Sequence, residues 1–198
     1  MNSNATATDV RQRILETAMD LFYRQGYRAT GINQVIKESG VAKASFYAHF
    51  PSKNDLFYEY AREMASRDIA MVHQEVDALP TARERFFGPL RILVPWFSET
   101  GWRGCPFQNI MPEIPPEDQR ARMVTRQHKV NFRSYFRKLA ADLVQEEPDL
   151  KALDCDAIAD AYLILFEGSL AAAVGYQDSW PVESAERVLE TLLECAKK

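Results

Sequence analysis

Apolar side chains recur every three to four residues along most of the chain. Ile14, Leu15, Ala18, Leu21 and Phe22 share one face of a first helix, and Gly26 suits its stop. Thr6 with Asp9 supplies a capping box at its start. Ile32, Val35 and Ile36 mark a second, short helix, with Thr30 as N-cap and Gly40 past its end. A third lies in VAKASFYAHFPSKNDLF (residues 41–57), where Pro51 ends it; Ser52, with Asp55 three residues on, then opens a long fourth helix running to about Leu79. Beyond Pro80 the helical period continues near residues 82–98, 105–111, 117–146, 154–175 and 181–197, with GWRGCP, PEIPPED, EEPDL and QDSWP between them. No run alternates with period two, and no repeat or low-complexity segment stands out. The pattern predicts an all-α fold of about nine helices.

The third helix has two unlike faces. At roughly 100° per residue, Phe46 and Phe50 fall on one stripe, while Ala44, Ser45, Tyr47 and Ala48 fan across the other. Two short helices joined by a turn containing Gly40 make a helix-turn-helix pattern, held together by Ile32, Val35, Ile36, Val41, Phe46 and Phe50. In such a pair the second helix enters the major groove. A groove-facing surface needs small residues to go deep and hydroxyls to reach base edges or phosphates, and the second face offers both. Thr30, at a helix start, would present its hydroxyl and nearby backbone N–H groups to a phosphate, and Lys43, His49 and Lys53 flank the same surface. The plainer alternative is one more amphipathic helix with an exposed tyrosine.

Composition changes this picture only locally. The chain has 198 residues, 46% hydrophobic and 26% charged, with a net charge of -4. These are the proportions of a globular protein. The average conceals an asymmetry: residues 1–53 carry seven Lys/Arg and four Asp/Glu, a net of +3, and the rest carries -7. A basic head on an acidic body suits local phosphate binding. The start, MNSNATATDV, lacks the basic and apolar segments of a signal peptide, and the apolar stretch Ala157 to Val174 contains Asp160 and Glu167, a poor membrane span; a soluble cytoplasmic protein is expected. Cys105, Cys155 and Cys195 lie far apart, and His49, His73 and His128 have no metal-ligand spacing, so no metal site or cofactor is expected. No Ser/His/Asp motif or Gly-rich phosphate loop suggests an enzyme.

The run AMDLFYRQGYRATGINQVIKESGVAKASFYAHFPSKNDLF resembles the N-terminal domain of TetR-family transcriptional repressors over roughly residues 10–60. It follows their T-x-x-x-I, A/S-G-V-x-K-x-S/T-x-Y-x-H-F and x-S-K-x-x-L patterns. The resemblance implies that Thr30 contacts phosphate at the start of helix two. It likewise implies recognition-helix contacts by Lys43, Ser45, Tyr47 and His49, and a phosphate contact by Lys53 at the start of helix four. Ala44 stands where Gly is frequent and Ala48 where Tyr or His is common, so the operator is not implied with the binding. The expected DNA-binding set is Thr30, Lys43, Ala44, Ser45, Tyr47, His49 and Lys53, in a domain of residues 1–53; residues 54–198 would bind ligand and dimerise.

In the body, the helix near 154–175 is apolar nearly all round, and Val188, Leu189, Leu192 and Leu193 give the last helix an apolar face. Pairing of both with a second copy in a four-helix interface is expected, against the alternative of a buried central helix in a monomer. TetR-like proteins dimerise through their last two helices, which agrees. The middle of the chain is rich in aromatic and sulfur side chains, which serve either a small-molecule pocket or a helical core. The resemblance implies the pocket, with an expected lining of Trp96, Trp102, Cys105, Phe107, Met111, His128, Asn131, Tyr135, Tyr162 and Phe166. GWRGCPFQN further resembles a Gly-Cys junction before helix six in a subgroup of TetR-like regulators, some of which respond to electrophiles. Cys105 is then either a reactive thiol near Arg103 or a small buried hydrophobe.

The leading expectation is a homodimeric, DNA-binding repressor released from its operator by a small-molecule effector. The alternative is a thiol-based electrophile or redox sensor acting through Cys105, and a third class is a regulator that answers to a protein partner and has no inducer.

Overall fold

The computed structural model describes residues 3–114 and 118–197, with side chains from residue 9 onward. All described regular structure is helical: α1 (Ser3–Gln25), α2 (Ile32–Ser39), α3 (Lys43–His49), α4 (Lys53–Val76), α5 (Ala82–Arg91), α6 (Leu93–Glu99), α7 (Pro106–Ile110), α8 (Gln119–Glu146), α9 (Cys155–Tyr176) and α10 (Trp180–Ala196). Single 3-10 turns occupy Met111–Glu113 and Pro148–Leu150. The nine expected helices are all present. The one expected at 82–98 is interrupted at Ile92, giving α5 and α6. Pro95 explains the break: it has no N–H for the carbonyl four residues back, that of Arg91. The side chain of Thr6, expected to cap α1, lies outside the described residues.

The chain divides into two units: Met1–Ser66 with Pro106–Thr125, and Arg67–Cys105 with Arg126–Lys198. The expected partition at residue 53 followed function; the packing units instead divide α4 and α8 internally and give the first unit a second stretch of chain.

In the first unit, the periodic residues Ile14, Leu15, Ala18, Leu21 and Phe22 of α1 are buried, together with Val35, Phe46, Phe50, Leu56, Phe57 and Tyr60. Phe22 sits edge-on to Tyr60 at 5.3 Å and to Phe57 at 5.9 Å. Gly40 closes α2 in the left-handed region at φ 66°, and its N–H donates to the Lys37 carbonyl. Ser52 caps α4 as expected: the Asp55 N–H donates to its Oγ (3.1 Å), and that hydroxyl donates to Asp55 Oδ2 (2.7 Å).

The second unit is organised by α9. Ile158, Ala159, Tyr162, Phe166, Ser169, Leu170 and Ala173 are its buried side, and α10 buries Val182, Ala185, Leu189 and Leu193. Phe136 stacks on Tyr162 at 4.1 Å and Phe132 on Phe166 at 5.6 Å. The Tyr162 hydroxyl donates to the Phe86 carbonyl (2.8 Å), which satisfies a buried polar group. By length and composition alone α9 is apolar enough to cross a membrane, a property it shares with core helices of soluble proteins. Its other side stays open, with Ile164 72% exposed and Tyr176 exposed beyond it; Trp180, Val188 and Leu192 are exposed on α10.

Candidate nucleic-acid interface and effector region

The two faces of α3 are as unlike in the structure as in the sequence. Phe46 is 0% exposed and Phe50 is buried beside it, their ring centroids 6.2 Å apart. Lys43, Ala44, Tyr47 and Ala48 face outward, and Ser45 and His49 lie half-buried at the margins. Tyr47 is 41% exposed, its ring edge-on to Phe46 at 5.3 Å. Among the described residues, Lys43, Ser45 and His49 form no side-chain hydrogen bond or ion pair, so their polar groups are available to a partner. One short helix thus carries a core anchor and an outward set of small, hydroxyl and cationic side chains.

Thr30 requires a correction. It is 0% exposed, and its hydroxyl donates to the Gly26 carbonyl (2.8 Å), with the Leu21 carbonyl at 3.4 Å. The N-cap of α2 is Gly31, without a side-chain cap. The Thr30 hydroxyl therefore ties down the end of α1 and does not cap α2. Lys53 is half-buried, its ammonium 4.2 Å from the centre of the Tyr27 ring. Burial draws its pKa below the usual lysine value, and the nearby Glu113 charge works in the opposite sense. Tyr27 donates to Asn54 Oδ1 from its hydroxyl, which burial pushes toward the neutral form.

Sequence reasoning missed what steadies this surface. Glu113 accepts the Arg28 N–H at Oε2 (2.6 Å), and Arg28 Nε donates to the Glu113 carbonyl (3.3 Å). Arg120 reaches Asp55 Oδ1 at 3.0 Å and lies 4.2 Å over the Tyr58 ring. The Asp55 carboxyl is held below its ordinary range first by Ser52 and then by Arg120. These partners lie 85 and 65 residues apart in the chain, beyond any local periodicity.

Of the expected pocket lining, Phe107 and Met111 belong to the first unit and the other eight to the second. There, Trp102 stacks on Phe97 at 5.3 Å, and both tryptophans, Trp96 and Trp102, are half-buried. His128 is buried, with Nε2 3.3 Å from Asp68 Oδ2. Tyr135 donates to Asp77 Oδ1 (2.7 Å), and Asp77 Oδ2 meets His73 Nδ1 at 2.8 Å. Burial and then Asp77 push the Tyr135 phenol up; burial also opposes ionisation of Asp77, but the Tyr135 and His73 hydrogen bonds outweigh it and leave that carboxyl low. Cys105 is 6% exposed, with Lys129 Nζ 4.0 Å from its Sγ and 2.6 Å from Glu167 Oε1.

Three of the expected lining residues do other work. Asn131 is exposed and accepts from Gln127 on the same helix, whereas Tyr162 and Phe166 are enclosed in the aromatic core. A groove of about 600 Å³ does exist in the second unit, but α5 and α10 line it. Phe87 is flanked there by Arg83, Arg91, Glu186 and Glu190, and none of the ten expected residues takes part.

Residues 14–60 match the family described as bacterial regulatory proteins, tetR family. The HTH-type transcriptional regulator LmrA of Bacillus subtilis is 53% identical over 57 residues, 28% of this chain and 30% of its own length. The chain thus spans less than a third of that relative. The transcriptional regulator AcuR of Cereibacter sphaeroides is 25% identical over 177 residues, covering 84% of this chain and 77% of AcuR. The crystal structure of a TetR-family transcriptional regulator from Streptomyces coelicolor matches with a TM-score of 0.83 at 25% identity, over 96% of this chain and 97% of that one. Residues 14–60, in the unit that carries α3, thus match the tetR family of bacterial regulatory proteins, and the fold is like that of a TetR-family regulator over nearly its whole length.

Proposed function

We propose that the chain is a homodimeric DNA-binding transcriptional regulator, a repressor that leaves its operator when a small molecule binds the helical body. The observation that carries this reading is α3: a helix anchored by Phe46 and Phe50 that presents Lys43, Ala44, Tyr47 and Ala48 outward, with Ser45 half-buried at the margin. Small residues admit the helix to the major groove, and Tyr47 with Lys43 and Ser45 reads bases and grips phosphate. His49 and Lys53 flank the contact. The functional head is residues 1–53 and the ligand-binding and dimerising body residues 54–198.

Dimerisation fits the open apolar face of α9 and α10, where Ile164, Tyr176, Trp180, Val188 and Leu192 await a cover. Two heads on one dimer reach two half-sites about 34–36 Å apart or a multiple of that. An effector acts by preferring the conformation whose heads are wrongly spaced, and its effect cannot exceed that difference in affinity. The buried polar groups His128 and Tyr135, with Trp96, Trp102 and Cys105, are the proposed contacts for it. Thiol sensing by Cys105 is the weaker reading, because burial favours its role as a small hydrophobe.

The test is a gel shift at fixed salt with DNA from upstream of the protein's own coding sequence, comparing wild type with Tyr47→Ala. Specific retardation that the substitution removes is the expected result. Equal retardation of both proteins would mean that α3 does not read the DNA.

A further inference from the structure

The Glu113 carboxylate lies on the turn between α1 and α2. Its Oε2 accepts the Arg28 N–H at 2.6 Å, its backbone carbonyl accepts Arg28 Nε at 3.3 Å, and a Cβ on Gly26 would run into Oε1. The glycine therefore leaves room for this carboxylate as well as adopting φ 91°. Its charge also supports the Lys53 ammonium against burial. The segment Pro106–Thr125 has a second attachment, through Arg120 to Asp55 and Tyr58. A carboxylate bound by a backbone N–H beside two cations is the arrangement a phosphate oxygen would meet.

We propose that Glu113 is an internal competitor of the DNA backbone: docked on Arg28 and beside Lys53, it occupies the anion position that a phosphate must take when the head grips DNA. The docked arrangement is then the weak-binding form of the head, and undocking Glu113 is part of tight binding. This deepens the regulator reading and rests on it. Arg28, which sequence reasoning did not include, joins the DNA-contacting set, and any event that draws the Pro106–Thr125 segment away from the head strengthens the grip.

The test is fluorescence anisotropy with a duplex that wild-type protein enriches from a random-sequence pool, titrated with salt. Glu113→Gln, which keeps an acceptor for the Arg28 N–H but removes the charge, should bind more tightly than wild type at low salt. One regained phosphate contact steepens the slope of log K against log salt by about 0.9. The advantage over wild type then shrinks roughly 3.5-fold between about 50 and 200 mM salt. In an Arg28→Ala, Lys53→Ala background the same substitution should leave the slope unchanged. Binding by Glu113→Gln no tighter than wild type, with an unaltered slope, would overturn the proposal, as would loss of its helical circular dichroism, which makes Glu113 a structural residue. Failure of the wild type to enrich any sequence refutes the DNA reading itself, and so is told apart from failure of the competition.

Discussion

Truncating Phe46 and truncating its neighbour Tyr47 should have very unequal effects on stability, although both remove an aromatic ring from one seven-residue helix. Phe46 is fully enclosed, in contact with Phe50 and Tyr47, so Phe46→Ala removes a buried ring and leaves a cavity. Such substitutions cost about 3–5 kcal/mol, a large part of the roughly 5–15 kcal/mol that holds a domain folded. Tyr47 loses mainly an edge-to-face contact with Phe46, worth about 1 kcal/mol or less at so exposed a position. Amide hydrogen exchange along α1 to α3 separates the two, since about 1.4 kcal/mol is a factor of ten in protection. Phe46→Ala should lower protection roughly a hundred- to several-thousandfold, and Tyr47→Ala by no more than about fivefold. DNA affinity should nevertheless fall in both, through unfolding in the first and through loss of a contact in the second. If Tyr47→Ala loosened the head as much as Phe46→Ala, or if Phe46→Ala were harmless, the division of α3 into an anchoring and a reading face would be wrong.

Further tests address other parts of the chain. Gly104 sits at φ 78°, with Val174 Cγ2 where a Cβ would go, so Gly104→Ala should destabilise the second unit by about 1–3 kcal/mol in urea unfolding, and Val174→Ala should recover only the steric part. Asp55 is held below its ordinary range, so its contribution is present above the unfolded carboxylate value and lost as pH falls through the lower folded one. The melting temperatures of wild type and Asp55→Asn should thus differ above about pH 5 and converge in stronger acid; a gap that persists there would contradict the assigned ion pair. Ile164→Glu puts a charge on the open face of α9, and sedimentation should show a shift from dimer toward monomer with helix content retained. An unchanged dimer would move the interface elsewhere.

The parts of the fold that rest on local periodicity were legible. Phe46 and Phe50 fall on one stripe because the helical period requires it, and burial follows from their size. Gly40 in the left-handed region and the Ser52–Asp55 cap are likewise properties of a few adjacent residues. Thr30 was read wrongly because a hydroxyl at a helix start can turn forward onto its own helix or back onto the preceding turn. With Gly31 as the N-cap, it turns back. Part of the expected pocket lining was illegible for a different reason: the aromatic side chains of Tyr162 and Phe166 suit a core and a cavity equally. Only their partners, such as the Phe86 carbonyl that accepts from Tyr162, distinguish the two. The contact from Glu113 to Arg28 joins residues with no shared periodicity, so no pattern in the sequence marks it.

The central claim, that the outward face of α3 reads DNA, is tested most directly by selecting duplexes from a random-sequence pool with wild-type protein and with Tyr47→Ala in parallel. The account predicts that wild type enriches a two-fold symmetric sequence, with half-sites one helical turn apart or a multiple of it, and that Tyr47→Ala enriches none while keeping its helical circular dichroism. Enrichment of the same sequence by both proteins, or of none by a folded wild type, would contradict it.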